Sequence, residues 1–252
     1  MLAFTSMSTF TANASHELRA PLALMRSEVE GALRRSRSTE EYKRVLESLM
    51  QEVEHLSRLS DQLLMLARAD SGALVPAKEP IDVADFLHES SARWEDLAKK
   101  QGTWVEVSAP SSGRMEADPA LLRRVVDNLM ENAVRHTARG TAVTLRGRQE
   151  REGWSVEVED QGSGVAVEHR VSLFTRFGRA ENVRSPENGG AGFGLALSAA
   201  IARAHGGSLE LVEADGTGAV FRLYVPNNGS GPHPKRPHRF RDRLGMERKI
   251  VP

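Results

Sequence analysis

Apolar residues recur at the helical period in the first third of the chain. Over residues 8–35, Leu18, Leu22, Met25, Val29 and Ala32 follow one another at spacings of four and three, which makes one stripe on a helix. A break follows at Ser36–Thr39. Ser38-Thr-Glu-Glu41 has the Ser-x-x-Glu pattern of a capping box, so a second helix is predicted to start there. Its stripe is Val45, Leu49, Val53, Leu56, Leu59, Leu63 and Leu66. Two long helices with a short connection form an antiparallel hairpin. One hairpin cannot bury so wide a seam, and two copies closing into a four-helix bundle can, so a homodimer is expected.

Beyond residue 72 the pattern changes. Residues 73–80, rich in Ala and Pro, are predicted as a linker. Short alternating runs then predict strands at Ile81–Val83, Trp104–Val107, Val143–Arg148, Trp154–Glu159, Ser208–Val212 and Val220–Val225. Asp85 is the expected cap of a helix running to about Lys100. Asp118-Pro119 opens another helix, with a carboxylate cap and a proline in the first turn. A third helix fits Gly194 to Ala204 and ends at Gly206-Gly207. The expected fold class is α+β multidomain, a helical hairpin (residues 1–72) followed by a unit (81–226) with helices layered on a sheet. Residues 227–252 carry seven Lys/Arg against two Asp/Glu with little periodicity, and are expected to be a disordered basic tail.

Formal net charge is zero over 252 residues, so the body ahead of that tail is acidic and shows no basic excess of a nucleic-acid binder. Cysteine is absent, which excludes disulfides, a thiol nucleophile and Cys-ligated zinc. No apolar run has the length of a membrane span, and the N-terminus lacks a signal-peptide pattern. As given, the chain is expected to be cytoplasmic.

Four places carry chemistry. His16 adjoins Glu17 on the first helix. A neutral imidazole is a good nucleophile near pH 7, and a neighbouring carboxylate can take the other ring proton. Pro21 removes a hydrogen bond to the carbonyl of residue 17 and loosens this turn. The alternative is an ordinary solvent-facing pair. Asn128, Asn132, Arg135 and His136 share a helix face opposite Leu122, Val125, Val126 and Leu129. Asn carbonyls suit Mg²⁺ and Arg135 suits phosphate, unless the face is only polar surface. Asp160-Gln-Gly162-Ser-Gly164 ends a strand in a turn, where Asp160 can accept from the exocyclic amine of adenine. Gly190-Ala-Gly192-Phe-Gly194-Leu195 precedes a helix, so its N–H groups can cradle phosphate. Between these loops, Phe174, Arg176 and Phe177 read either as a latch on a nucleotide lid or as an ordinary surface loop. No P-loop run exists, and the dinucleotide fingerprint lacks its N-terminal strand–turn–helix unit.

In this order, the pieces resemble the catalytic core of a two-component sensor histidine kinase over residues 8–226. Ser15 to Leu22 resembles the H-box, Asp118 to Ala133 the N-box, Asp160 to Gly164 the first G-box, Phe174 to Phe177 the F-box, Gly190 to Gly194 the second G-box, and Gly216 to Phe221 the last glycine motif. The resemblance implies a dimerisation and phosphoacceptor domain at 1–72, a linker at 73–80 and a GHKL-type ATP-binding α/β sandwich at 81–226. It implies that His16 attacks the γ-phosphorus of Mg-ATP with Glu17 as the neighbouring acid/base. It also implies that Asn132 and Asn128 hold Mg²⁺, that Asp160 reads adenine, and that a response-regulator aspartate takes the phosphoryl group. Many members carry Thr or Asn four positions after the phosphoacceptor, where this chain has Ala20, which puts phosphatase activity in doubt. Arg135-His136 stands where Lys-Tyr is common. No sensor segment precedes residue 8, so a membrane sensor part is expected to be missing.

Two other classes compete. GHKL ATPases that hydrolyse ATP place a Glu base four residues before the metal-binding Asn, and here that position is Asn128. A non-catalytic scaffold is opposed by the intact His16-Glu17 pair and glycine motifs.

Overall fold

The computed structural model describes residues 2–175, 193–213 and 218–227, with side chains from Leu18 onward except that of Glu213. Helix α1 (Leu2–Leu33) and helix α2 (Thr39–Asp70) form the hairpin. Ser38 caps α2 as its sequence predicts. Its hydroxyl accepts from Glu41 N at 3.2 Å, and the Glu41 carboxylate accepts from Ser38 N at 2.8 Å. Those two bonds satisfy two of the four N–H groups a helix start leaves open. The α1 stripe is only half buried in one chain: Ala32 is inside, while Leu22 and Val29 are exposed. Leu46, Met50 and Val53 of α2 are exposed as well.

The remaining elements are β1 (Glu79–Asp82), α3 (Val83–Ala92), α4 (Glu95–Gln101), β2 (Trp104–Ser108), β3 (Arg114–Ala117), α5 (Pro119–His136), β4 (Ala142–Gln149), β5 (Gly153–Asp160), α6 (Val167–Arg170), α7 (Gly194–Ala204), β6 (Ser208–Glu213) and β7 (Ala219–Pro226). The main sheet has the order β2-β4-β5-β7-β6, antiparallel except for the parallel β2–β4 pair. β1 and β3 make a separate antiparallel ribbon. Period-two alternation sends Val143, Leu145, Val156, Val158, Phe221 and Leu223 into a core shared with Leu122, Val125, Val126 and Leu129 of α5 and Leu197 and Ile201 of α7. Leu59 and Leu66 of α2 join this same core, because α2 packs on α7.

The opposite sheet face is ionic. Arg146, Glu157 and Arg222 stand side by side on β4, β5 and β7. The Glu157 side chain is only 4% exposed, receives Arg222 at 2.7 Å and lies 3.3 Å from Arg146. Burying a carboxylate requires such partners.

Two sequence expectations are corrected. The helix expected from Asp85 to Lys100 is capped by Asp82, whose carboxylate accepts from Ala84 N and Asp85 N. It is also two helices: the chain bends at Arg93-Trp94, where the guanidinium and the indole N–H both donate to Asp127 of α5. Strand β3 and the short α6 were not expected. Beyond Asn227 the expected tail lies outside the described residues.

Candidate functional site

Helix α5 is the spine of the site. Asp118 caps it through Leu121 N at 3.0 Å, and Pro119 fills the first position. Its apolar face is wholly buried, with Leu122, Val125, Val126 and Leu129 at 0% exposure. That fixes the rotation of the helix and leaves Asn128, Asn132 and Arg135 partly exposed together. His136 is eight positions after Asn128, about 12 Å along the axis.

At the Asn128 end lies the start of α7. The Asn128 side-chain nitrogen donates to Gly194 O and to Ser198 Oγ, both at 3.2 Å. Leu195, the next residue of α7, is partly exposed. A Cβ on Gly194 would stand 3.5–3.8 Å from the Asn128 carboxamide, so the bare glycine leaves that group open.

At the other end, β5 delivers Asp160 beside the last turn of α5. Asp160 is 7% exposed. Desolvation raises its pKa above the usual carboxylate value, opposed by backbone N–H groups of Gly162 and Ala219 and by the His136 charge. The turn closes by a bond from Gly162 N to Asp160 Oδ1 at 3.0 Å. Gly162 has no space for a side chain, since a Cβ would fall 2.3 Å from His136 O. Thr137 Oγ1 accepts from Gln161 N at 3.2 Å, and Ala138 N donates to Gln161 O. Thr137 was not singled out from sequence. Gly164 turns the chain away with φ +69°. The His136 ring keeps an exposed side, but desolvation and then the adjacent Arg135 charge hold its pKa below the ordinary value.

Arg135 is paired with Glu131 one turn back. Phe174 rests edge-on against Phe221, with centroids 6.3 Å apart, which pins the segment after α6 to the core. Arg176, Phe177, Gly190 and Gly192 lie outside the described residues. His16 and Glu17 fall on α1, five and four residues before Pro21, with side chains outside the description. Among the described residues no group of three acidic or histidine side chains could hold a metal by itself.

A helical hairpin joined to an α/β sandwich, with an Asn-bearing helix running between a carboxylate turn and a glycine-started helix, defines a class: a two-layer α/β domain coupled to a helical one. Comparison with known proteins gives the family. The His Kinase A (phospho-acceptor) domain matches residues 6–72, and the histidine kinase-, DNA gyrase B-, and HSP90-like ATPase matches residues 117–229. The sensor histidine kinase CusS of Escherichia coli O157:H7 is 33% identical over 226 residues, 90% of this chain and 46% of CusS. The chain therefore spans about half the length of the curated relatives it matches. The Acinetobacter baumannii histidine kinase AdeS shares the fold, with a TM-score of 0.70 at 24% identity over 84% of this chain and 98% of AdeS. So does the histidine kinase ThkA, solved in complex with the response regulator TrrA, at a TM-score of 0.68 and 17% identity over 90% of this chain and 64% of that one. The chain belongs to the histidine kinases, as a phosphoacceptor domain joined to a GHKL-type ATPase domain.

Proposed function

We propose that this core phosphorylates itself on His16 from Mg-ATP and passes the phosphoryl group to an aspartate of a response regulator. The observation that carries the reading is the two-ended site on α5. Asp160 at one end is a desolvated acceptor for the adenine amine, Asn128 at the other bonds to the start of α7, and Asn132 lies between them on the same helix. The distance of about 12 Å between those ends suits an extended nucleoside triphosphate.

A ring nitrogen of His16 forms a bond to the γ-phosphorus as the bond to the bridging oxygen breaks and ADP leaves. Glu17 accepts the proton that the charged ring gives up. Asn132 and Asn128 fit Mg²⁺, because neutral oxygens from few protein groups, completed by phosphate oxygens, are the set that ion takes. When bound, the metal neutralises the developing phosphate charge. Arg135 must leave Glu131 to reach a phosphate. The receiver aspartate then attacks the phosphohistidine, and His16 departs with its lone pair restored. ThkA, described with its regulator, supports a response regulator as the partner.

The exposed residues Leu22, Val29, Leu33, Leu46, Met50 and Val53 support a second copy of the hairpin as the cover, giving a homodimer. No helix among the described residues is long and apolar enough to cross a membrane. We read the site of action as the cytoplasm, where ATP and receiver domains are found. The domains divide as 1–72, 73–80 and 81–226.

Incubation with γ-labelled Mg-ATP tests the reading. Label that is acid-labile, alkali-stable and lost in both His16→Gln and Asn132→Ala is the expected result. Label retained in His16→Gln overturns the assignment of the phosphoacceptor.

A further inference from the structure

Ser198 is a fully buried hydroxyl in a helix otherwise built of Gly, Ala, Leu, Ile and one exposed Arg203. A polar atom there is disfavoured without a partner. Its partner is Asn128, 70 positions earlier in the chain. The same Asn128 nitrogen donates to Gly194 O. A backbone carbonyl only accepts, so the carboxamide end facing α7 is the nitrogen and not the oxygen. Both N–H bonds of Asn128 are thereby spent on α7, one on a carbonyl and one on a hydroxyl. What remains is the oxygen, Oδ1, 3.6 Å from the position a Cβ on Gly194 would take.

We infer that Ser198 is a positioning residue for the phosphate end of the site: it locks the Asn128 carboxamide so that Oδ1, the only end able to ligate a cation, is presented to the metal-bound triphosphate. This rests on the reading of the Asn face as the Mg-nucleotide site. Without the hydroxyl, one N–H of Asn128 is left without an acceptor, and the amide can rotate to offer that N–H where an oxygen is required. Gly194 belongs to the same device, since a methyl group there would cover the carboxamide it now leaves open.

The test uses the full chain and a fluorescent ATP analogue, titrated with Mg²⁺ and with EDTA. Alanine matches the size of the buried serine, so Ser198→Ala is expected to keep the fold, checked by its circular dichroism melt. Its affinity with Mg²⁺ should fall about fivefold, the worth of one neutral hydrogen bond, while its affinity in EDTA stays at the wild-type value. In ¹⁵N-Asn-labelled protein the Asn128 side-chain NH₂ pair, assigned by its loss in Asn128→Ala, should exchange with water faster. In an Asn128→Ala background, Ser198→Ala should have no further effect, because it acts only through that side chain.

An equal loss with and without Mg²⁺, or additive losses in the double variant, makes Ser198 a packing residue and overturns the inference. If the wild type binds the analogue with Mg²⁺ stimulation and Ser198→Ala matches it, the inference fails while the proposed function stands. If the wild type binds no nucleotide, the proposed function fails first and the inference falls with it.

Discussion

His205 should be a pH-limited staple of the ATPase domain. It sits at the end of α7 with no exposed surface. Its Nδ1 is 2.9 Å from Ile201 O, which only accepts, so Nδ1 carries the proton. Its Nε2 accepts from Asp118 N at 3.1 Å, so that nitrogen holds the lone pair. The ring is therefore neutral, in one tautomer, and ties α7 to the cap of α5. The linker is tied to the same point: Lys78 Nζ donates to His205 O at 3.2 Å, and Ala77 N donates to Asp118 Oδ2 at 3.0 Å. His205→Leu keeps the bulk and leaves Asp118 N–H buried without its acceptor. Ile201 O retains the His205 backbone N–H, a bond the substitution does not touch. The cost is then one unsatisfied donor, about 1–3 kcal/mol. For a domain of this size that lowers the melting temperature by about 2–10 °C.

The pH dependence follows from the direction of the pKa. Burial pushes His205 down, helped by Lys78 and opposed by the Ile201 carbonyl and the Asp118 carboxylate. A folded value below the unfolded value of about 6.5 means the unfolded chain holds more protons in between. The stabilisation is complete above pH 6.5 and erodes as pH falls, by at most about 1.4 kcal/mol per pH unit. The stability gap between wild type and His205→Leu should be constant from pH 7 to 8 and narrow below 6.5. The three tryptophans, Trp94, Trp104 and Trp154, all lie beyond the helical hairpin, so urea unfolding read by their fluorescence reports on the α/β part and the core it shares with α2. Taking the difference between the two proteins removes His136 and Asp160, which also titrate with shifted values. A gap that stays constant to pH 5, or widens in acid, refutes the neutral staple.

Gly162→Ala should abolish nucleotide binding and destabilise the domain by about 1–3 kcal/mol, because its Cβ falls 2.3 Å from His136 O; calorimetric titration and a urea midpoint check it. Glu157→Ala leaves Arg146 and Arg222 facing each other across β5, and since both retain some solvent the cost should be about 1–2 kcal/mol, read from tryptophan fluorescence and reduced by high salt. Ser38→Ala removes the capping box of α2 and should cost about 1 kcal/mol, seen in the helical circular dichroism melt with no change in ATP affinity.

What could be read from the sequence divides by the range of the interaction. The caps of α2 and α5 are written within four residues, so Ser38 and Asp118 were legible, as was the Gly194 start of α7. Even local chemistry misled where two carboxylates stood three apart: Asp82 takes the cap, and Asp85 falls in the first turn. Strand β3 has four residues and finds its partner β1 more than thirty positions back, so neither length nor period announced it. The boxes were visible as residue types and spacings, but the mutual orientation of their side chains was not. Nothing near Asn128 says that its nitrogen is spent on Gly194 and Ser198, 66 and 70 positions later. Nothing near His205 says that its ring caps a bond from Asp118, 87 positions earlier. One ties α7 to α5 and the other ties the end of α7 to the cap of α5. A motif in the sequence can name the atom that meets a ligand, but the residue that aims that atom lies on another element. In this domain one buried serine of α7 holds the Asn128 carboxamide, and one buried histidine at the end of α7 holds the cap of α5.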